Sequence, residues 1–111
     1  MADAVASRST GRWELGVHGA SIHRAGEDDL DLAAEILEDA AAWVASLGMP
    51  AWEPGSFRAA EGGGRGRLAE ALRTGDLYVA RIGGRGVATV SLFEEDQRFW
   101  PGWPSDALYV H

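Results

Sequence analysis

The spacing of apolar residues predicts one long amphipathic helix in the first half of the chain. Two apolar rows with i, i+3, i+4 spacing run from Leu30 to Leu47, and together they predict one broad buried face. The rows are Leu30, Ala33, Leu37, Ala41 and Val44, and Leu32, Ile36, Ala40, Trp43 and Leu47. The acidic residues Asp31, Glu35, Glu38 and Asp39 fall largely outside this face. The acidic run Glu27–Asp29 suits the first turn of the helix, and Gly48 suits its end.

Shorter apolar runs predict strands before and after this helix. The predicted elements are a strand over Ser21–Ala25, a helix over about Gly66–Arg73 ended by Gly75, strands over Leu77–Ile82 and Val87–Phe93, and a last strand over Ala107–His111. Gly83-Gly84 predicts a two-residue hairpin turn between the middle strands. The order is therefore strand, long helix, short helix, strand, strand, strand, which is a mixed α+β class.

The two ends of the chain differ from this pattern. Residues 1–20 carry Ser, Thr, Gly and Arg without a period, which favours a poorly ordered leader, although Trp13, Leu15 and Val17 alternate and allow a short extra strand. Residues 21–111 then form one small domain. The last predicted strand ends at His111 without a turn or cap, so we expect a truncated chain whose edge backbone groups lack a neighbour.

Composition narrows the partners that the chain suits. The 111 residues carry a net charge of −7, and all basic side chains are Arg, which argues against nucleic acid and suits a cationic partner such as an amine. No apolar run approaches the roughly 20 residues that cross a membrane. The absence of Cys excludes thiolate metal sites and fits a reducing cytoplasm, and three scattered His residues make no metal-ligand cluster.

Four stretches of the chain carry a resemblance to a known family. They are Ile22–Leu30, Trp43–Trp52, Leu72–Arg81 and Phe99–His111. In this order and spacing they resemble the N-terminal half of the GNAT superfamily of N-acetyltransferases, over about residues 21–111. The resemblance implies a partial GNAT fold with a mostly antiparallel sheet. It also implies transfer of an acetyl group from acetyl-CoA to a small-molecule or peptide amine.

The most diagnostic motif of that family is missing from its expected place. It is a Q/R-x-x-G-x-G/A loop between the fourth strand and a helix, where backbone N–H groups hold the pyrophosphate of acetyl-CoA. The chain ends before that point. The glycines of Gly62–Arg67 and Gly83–Gly86 predict a flexible loop before a helix and a hairpin turn, respectively. We therefore expect an inactive or truncated form that binds acetyl-CoA weakly.

Two residues are candidates for proton transfer. Glu94 opens the acidic run Glu94–Asp96 at a strand end near the expected cleft, where a carboxylate can act as a general base or attract an amine. A solvated acidic turn is the simpler interpretation. His111 lies on the last strand, where the family sometimes places a polar group that faces the substrate, and a structurally neutral histidine is its alternative.

Aromatic residues supply the candidate binding surface. Trp52, Trp100, Trp103 and Tyr109 are the predicted acceptor contacts, with Phe57 as a further wall residue. Core packing or loop packing beside the prolines is the simpler interpretation of each aromatic residue taken singly. Trp43 is assigned to the core. The resemblance also implies that Val110 and His111 contact acetyl-CoA from the last strand.

Three hypotheses for function follow. The first is the acceptor-side half of a GNAT acetyltransferase. The second is a non-catalytic module that pairs with another chain, or with a second copy, through its exposed last strand. The third is an unrelated α+β protein in which the Trp13–Val17 segment covers the last strand. The sequence favours the first.

Overall fold

The chain folds into one antiparallel sheet with two α-helices, a mixed α+β arrangement. The computed structural model describes residues 5–7, 11–14, 19–49, 51–53, 55–58, 63–103 and 108–111. The strands are β1 Val5–Ser7, β2 Arg12–Glu14, β3 Ala20–Arg24, β4 Leu77–Ile82, β5 Arg85–Phe93 and β6 Tyr109–Val110. The helices are a 3₁₀ turn Glu27–Asp29 that leads into α1 Leu30–Ser46, and α2 Gly63–Thr74. From β3 onward this order is the predicted one.

The strands lie in the sheet in the same order as along the chain, β1-β2-β3-β4-β5-β6, and all neighbouring strands are antiparallel. The predicted hairpin is present, since Ile82 pairs with Arg85 and leaves Gly83 and Gly84 as the turn. Their φ angles of 58° and 79° lie in the left-handed region that two-residue hairpin turns need and that glycine adopts without strain.

Within residues 1–20, the structure describes residues 5–7, 11–14 and 19–20, and a short extra strand, which the sequence allowed around Trp13, is present as β2. There β1 pairs antiparallel with β2, and Trp13 of β2 pairs with Ile22 of β3. The Trp13 ring lies 5.2 Å from the ring of Tyr78 in edge-to-face geometry, so an aromatic contact ties β2 to the sheet. Leu15 and Val17, which gave the alternating pattern with Trp13, lie outside the described residues.

The core lies between the helices and one face of β4. It is a cluster of buried residues: Ala33, Ala34, Phe57, Leu68, Ala71 and Leu77. The first apolar row of α1 faces this core, whereas the assignment of Trp43 to the core is wrong, because its side chain is 65% exposed. Small alanines let α1 approach the sheet closely, and Trp43 lies two residues past buried Ala41, about 200° around the helix.

Close contact between α1 and β5 depends on a glycine. A Cβ built on Gly86 would lie 2.8 Å from a methyl carbon of Leu32, so a larger residue would force the Leu32 side chain of α1 to move. A register shift beside Arg81 leaves Val87 without a partner in the ladder and pairs Gly86 with Arg81. Beyond this shift, Thr89, Val90, Ser91 and Phe93 of β5 line one cavity.

Asp29 fixes the start of the helical segment. One of its carboxylate oxygens accepts the backbone N–H of Gly26 at 2.8 Å, and the other accepts the guanidinium of Arg81 on β4, also at 2.8 Å. These bonds, with that of Gly26 the stronger influence, hold the pKa of Asp29 below its ordinary value. The acidic first turn predicted from the sequence is confirmed, and it connects the helix to the sheet.

Candidate functional site

A cavity of about 730 Å³ opens between the helices and the last two strands. We call it the larger cavity. Its helix side carries mostly apolar side chains, and its strand side carries polar and charged side chains together with apolar ones. The helix-side residues include Leu37, Trp52, Phe57, Gly64, Arg67 and Leu68; the strand-side residues include Thr89, Ser91, Phe93, Glu95, Asp96 and His111. Its volume lies within the roughly 300–1,000 Å³ typical of small-molecule sites.

Glu38 anchors the helix side of this cavity. Its two carboxylate oxygens accept the backbone N–H groups of Gly55 and Phe57, at 2.9 and 2.8 Å. The residue is only 3% exposed, so the prediction that Glu38 lies outside the buried face is wrong. The N–H group of Gly55, followed by that of Phe57, holds the pKa of Glu38 below its ordinary value by stabilising the charged form.

The anchored loop carries two aromatic walls of the cavity. Phe57 is 6% exposed and belongs to the core cluster, while the ring of Trp52 lies 6.4 Å away in edge-to-face geometry and is 42% exposed. A Cβ on Gly64 at the start of α2 would lie 2.4 Å from the Phe57 ring. Gly64 therefore serves the packing of Phe57, which explains one glycine of the run before α2.

The strand side is organised by a histidine–carboxylate pair. His111 Nε2 lies 2.7 Å from Asp96 Oδ2, and the Asp96 side chain is only 7% exposed, against 36% for His111. The rings of Phe93 and Phe99 lie 5.5 and 5.6 Å from the imidazole. Two backbone hydrogen bonds with Ser91 hold His111 against β5. The imidazole is thus fixed in position by both its backbone and its side chain.

Asp96 is itself held by the turn that follows β5. Its second carboxylate oxygen accepts the N–H of Phe99 at 3.3 Å, and its backbone carbonyl accepts the N–H of Trp100 at 2.8 Å. The neutral His111 tautomer that donates Nε2–H to Asp96 leaves Nδ1 as an acceptor. A carboxylate that orients an imidazole in this way is an arrangement suited to general acid–base chemistry.

A smaller cavity of about 370 Å³ shares His111 and Asp96 with the larger one. Four of the residues predicted from the sequence to bind substrate or cofactor line it, namely Trp100, Tyr109, Val110 and His111. Phe99 also lines both cavities. The histidine–carboxylate pair therefore borders two separate spaces.

The remaining predicted residues divide between the cavities and the surface. Trp52 lines the larger cavity, as does His111. Trp103 lines neither cavity; its ring lies 5.6 Å from that of Trp100. Glu94 also lines neither, whereas its neighbours Glu95 and Asp96 face the larger cavity. The structure thus pairs His111 with Asp96, a member of the predicted acidic run, rather than with Glu94.

The glycine-rich segments do not form a phosphate-binding loop. Residues Arg81–Gly86 spell R-x-x-G-x-G, yet they make the β4–β5 hairpin turn, with no helix after it. Gly64 lies under Phe57, where its missing side chain makes room for a ring rather than for a ligand. A strand-to-helix loop with converging N–H groups is what pyrophosphate binding requires, and the described residues of the two segments do not provide it.

The described residues contain neither a cluster of metal ligands nor a membrane-spanning helix. Among them, no group of three or more His, Cys, Asp or Glu side chains is arranged to hold a metal ion. Within the same residues, every helix is too short or too polar to cross a membrane.

Comparisons of the chain with protein-family models, curated proteins and solved structures found no match. The resemblance to the GNAT superfamily therefore stays a prediction from the sequence.

Proposed function

We propose that this chain is the acceptor-binding part of an N-acetyltransferase of the GNAT type, which transfers an acetyl group from acetyl-CoA to an amine. The observation that carries the proposal is the His111–Asp96 pair at the larger cavity. It lies beside the strand that the resemblance assigns to the fourth strand of the family, where the reacting groups meet. The order of elements from β3 to β6 supports the same assignment.

The pair supplies the proton transfer that such a reaction needs. An aliphatic amine is mostly protonated at neutral pH, and its nitrogen lone pair becomes available for acyl transfer only after a proton is lost. In our proposal the ammonium N–H bond breaks and the proton moves to His111 Nδ1, while Asp96 stabilises the resulting imidazolium. The carboxylates of Glu95 and Asp96 favour entry of a cation.

Acetyl-CoA would supply the activated acetyl group, but the described residues do not fit its nucleotide end. The only described stretch that spells the family loop is a hairpin turn, and Gly64 is covered by Phe57. Val110 and His111 line the smaller cavity and are the residues that we propose to face the acyl donor.

Two binding measurements test the proposal. Titration calorimetry of the chain with acetyl-CoA should give no micromolar binding, and micromolar binding would contradict the assignment of this chain to the acceptor side. Two-dimensional NMR of labelled chain with a primary amine should shift the signals of Ser91, Phe93 and His111. Asp96→Asn should weaken that response, and Glu35→Gln, on the exposed face of α1, should leave it unchanged. An amine response that Asp96→Asn does not alter would refute the role of the pair.

A second candidate is a non-catalytic module that pairs through β6. The observation in its favour is that β6 is the last strand in the order of the described sheet, with Val110 68% exposed. An exposed edge strand can accept a strand from a second copy or from another protein. Size-exclusion chromatography with light scattering tests this: a defined dimer that Val110→Pro converts to monomer supports the module, and a monomer at all concentrations contradicts pairing with itself.

A further inference from the structure

The larger cavity combines two kinds of surface that together describe a ligand. On its helix side, Trp52, Phe57 and Leu68 present apolar area, with Phe57 and Leu68 each 6% exposed. On its strand side, Glu95 and Asp96 present carboxylates beside the imidazole of His111. A molecule that fills the cavity therefore meets apolar walls at one side and acidic groups at the other.

We infer that the acceptor is a primary monoamine with a bulky apolar body, such as an aryl-alkylamine. This inference rests on the proposed function, because it assumes that the cavity receives an amine. The ammonium group would lie against Asp96 and His111, and the apolar body would lie against Trp52 and Phe57. Burial of this apolar body strengthens binding, and a small alkylamine has too little apolar surface to gain the same contribution.

The same walls discriminate against polyamines. A second ammonium group at the far end of a polyamine would contact Trp52, Phe57 and Leu37, none of which supplies a carboxylate. Desolvating that charge without a partner costs free energy. For a linear polyamine, this cost on the helix side offsets the favourable binding free energy of the first ammonium group on the strand side. Apolar groups of the same size carry no such cost.

Two arginines, Arg67 and Arg98, also line the cavity, and their positive charge would favour an anionic ligand over an amine. Arg98 lies with its guanidinium carbon 5.3 Å from the centre of the Phe99 ring, and Arg67 projects from the exposed side of α2. The Asp96 side chain is far less exposed than either of these residues. Because electrostatic interactions strengthen as water is excluded, we expect the buried carboxylate to decide the preference for a cation.

A set of probes with similar shapes tests the inference by calorimetry on the whole chain. The probes are 2-phenylethylamine, 2-phenylethanol, 3-phenylpropanoate, ethylamine and spermidine. We expect 2-phenylethylamine to bind at least tenfold more tightly than each of the others. Trp52→Ala should weaken its binding about tenfold, whereas Trp103→Ala, which removes an exposed tryptophan outside the cavity, should change it less than twofold.

The outcomes separate the inference from the proposed function. If ethylamine or spermidine binds as tightly as 2-phenylethylamine, or if Trp52→Ala has no effect, the apolar-body inference is wrong while the amine site stands. If the alcohol or the carboxylate binds as tightly as the amine, the cavity does not select an amine, and both are wrong. Failure of every probe to bind at millimolar concentration also overturns both.

Discussion

The two sides of the larger cavity are built in different ways. On the helix side, Phe57 is 6% exposed, packs in the core and donates its backbone N–H to the buried carboxylate of Glu38. On the strand side, Phe99 is 59% exposed, and the His111 side chain is held by a hydrogen bond to Asp96. One side is therefore part of the folding core, and the other is an accessible surface attached to it.

Because of this difference, the two sides should contribute unequally to the stability of the fold and to ligand binding. Residues that bury apolar area and satisfy backbone groups contribute to the free energy of unfolding, whereas accessible polar pairs contribute little to it. Accessible polar pairs are also the groups that a ligand can reach. We therefore expect substitutions of buried helix-side residues such as Phe57 to change stability most, and substitutions of residues that a ligand can reach, such as Trp52 and His111, to change binding most.

The largest effect on stability should come from Phe57→Ala. It removes a buried ring from the core cluster, and such truncations cost about 3–5 kcal/mol. Phe99→Ala on the opposite side should change the free energy of unfolding by less than about 1 kcal/mol, because that ring is mostly exposed. Urea unfolding of both variants measures the contrast, and equal losses would show that the two sides do not differ.

The next effect should come from Glu38→Gln, which keeps the size of the side chain. An amide cannot accept both backbone N–H groups as the carboxylate does, so we expect a loss of stability smaller than that of Phe57→Ala. Glu35→Gln is the matched control, since Glu35 is exposed and paired with Arg58. A loss no larger than that of the control would contradict the anchoring role of Glu38.

The same pair of variants predicts a pH dependence. Folding lowers the pKa of Glu38 below its ordinary 4.5, so the charged carboxylate stabilises the fold above that value and loses this contribution as pH falls through the lower, folded value. Thermal unfolding between pH 7 and pH 3 should therefore show a smaller decline for Glu38→Gln than for the native chain. Parallel declines would contradict this linkage.

Two glycines of α2 should respond to alanine in opposite directions. At Gly64 the new Cβ would lie 2.4 Å from Phe57, so Gly64→Ala should cost about 1–3 kcal/mol by overpacking. At Gly66 nothing lies within 4 Å, and Gly66→Ala should stabilise the helix by about 0.5–1 kcal/mol. Chemical denaturation measures both, and a shared sign would contradict the packing of Phe57 on Gly64.

The smallest effect on stability should come from Asp96→Asn on the strand side. The amide retains an oxygen for the N–H of Phe99, so the free energy of unfolding should change by less than about 1 kcal/mol. The imidazole of His111 should nevertheless change its tautomer balance, because its charged acceptor is lost. Nitrogen chemical shifts of the imidazole report this, and unchanged shifts would show that Asp96 does not orient the ring.

Much of the fold was predictable from short-range signals. Gly48 and Gly75 end the helices as expected, with φ angles of 77° and 79°, and Gly83-Gly84 makes the predicted turn. These features depend on residues only a few positions apart. The prediction that Glu38 lies outside the buried face was wrong. Its spacing of four residues from Ala34 and three from Ala41 could have indicated burial, because it shares the face of α1 that carries both buried alanines.

The candidate site was predictable only in part. His111 and the acidic run after β5 were both candidates, but nothing in the sequence selected Asp96 over Glu94 as the partner of the imidazole. That choice depends on how the turn after β5 brings Asp96 back toward β6, 15 positions along the chain. Trp52 and Phe57 were both candidate wall residues in the sequence, and their burial distinguishes them in the structure, with Phe57 6% and Trp52 42% exposed.

The sequence by itself determined the order of the elements from β3 onward, the glycines that end both helices and the turn between β4 and β5, because backbone preferences, caps and hydrophobic periodicity act over a few residues. Tertiary structure alone decided which side chains those elements bury. It put the carboxylate of Glu38 under a returning loop and left Trp43 in solvent. The physical reason is that burial depends on contacts between segments distant in sequence, and these exist only once the helices have packed on the sheet.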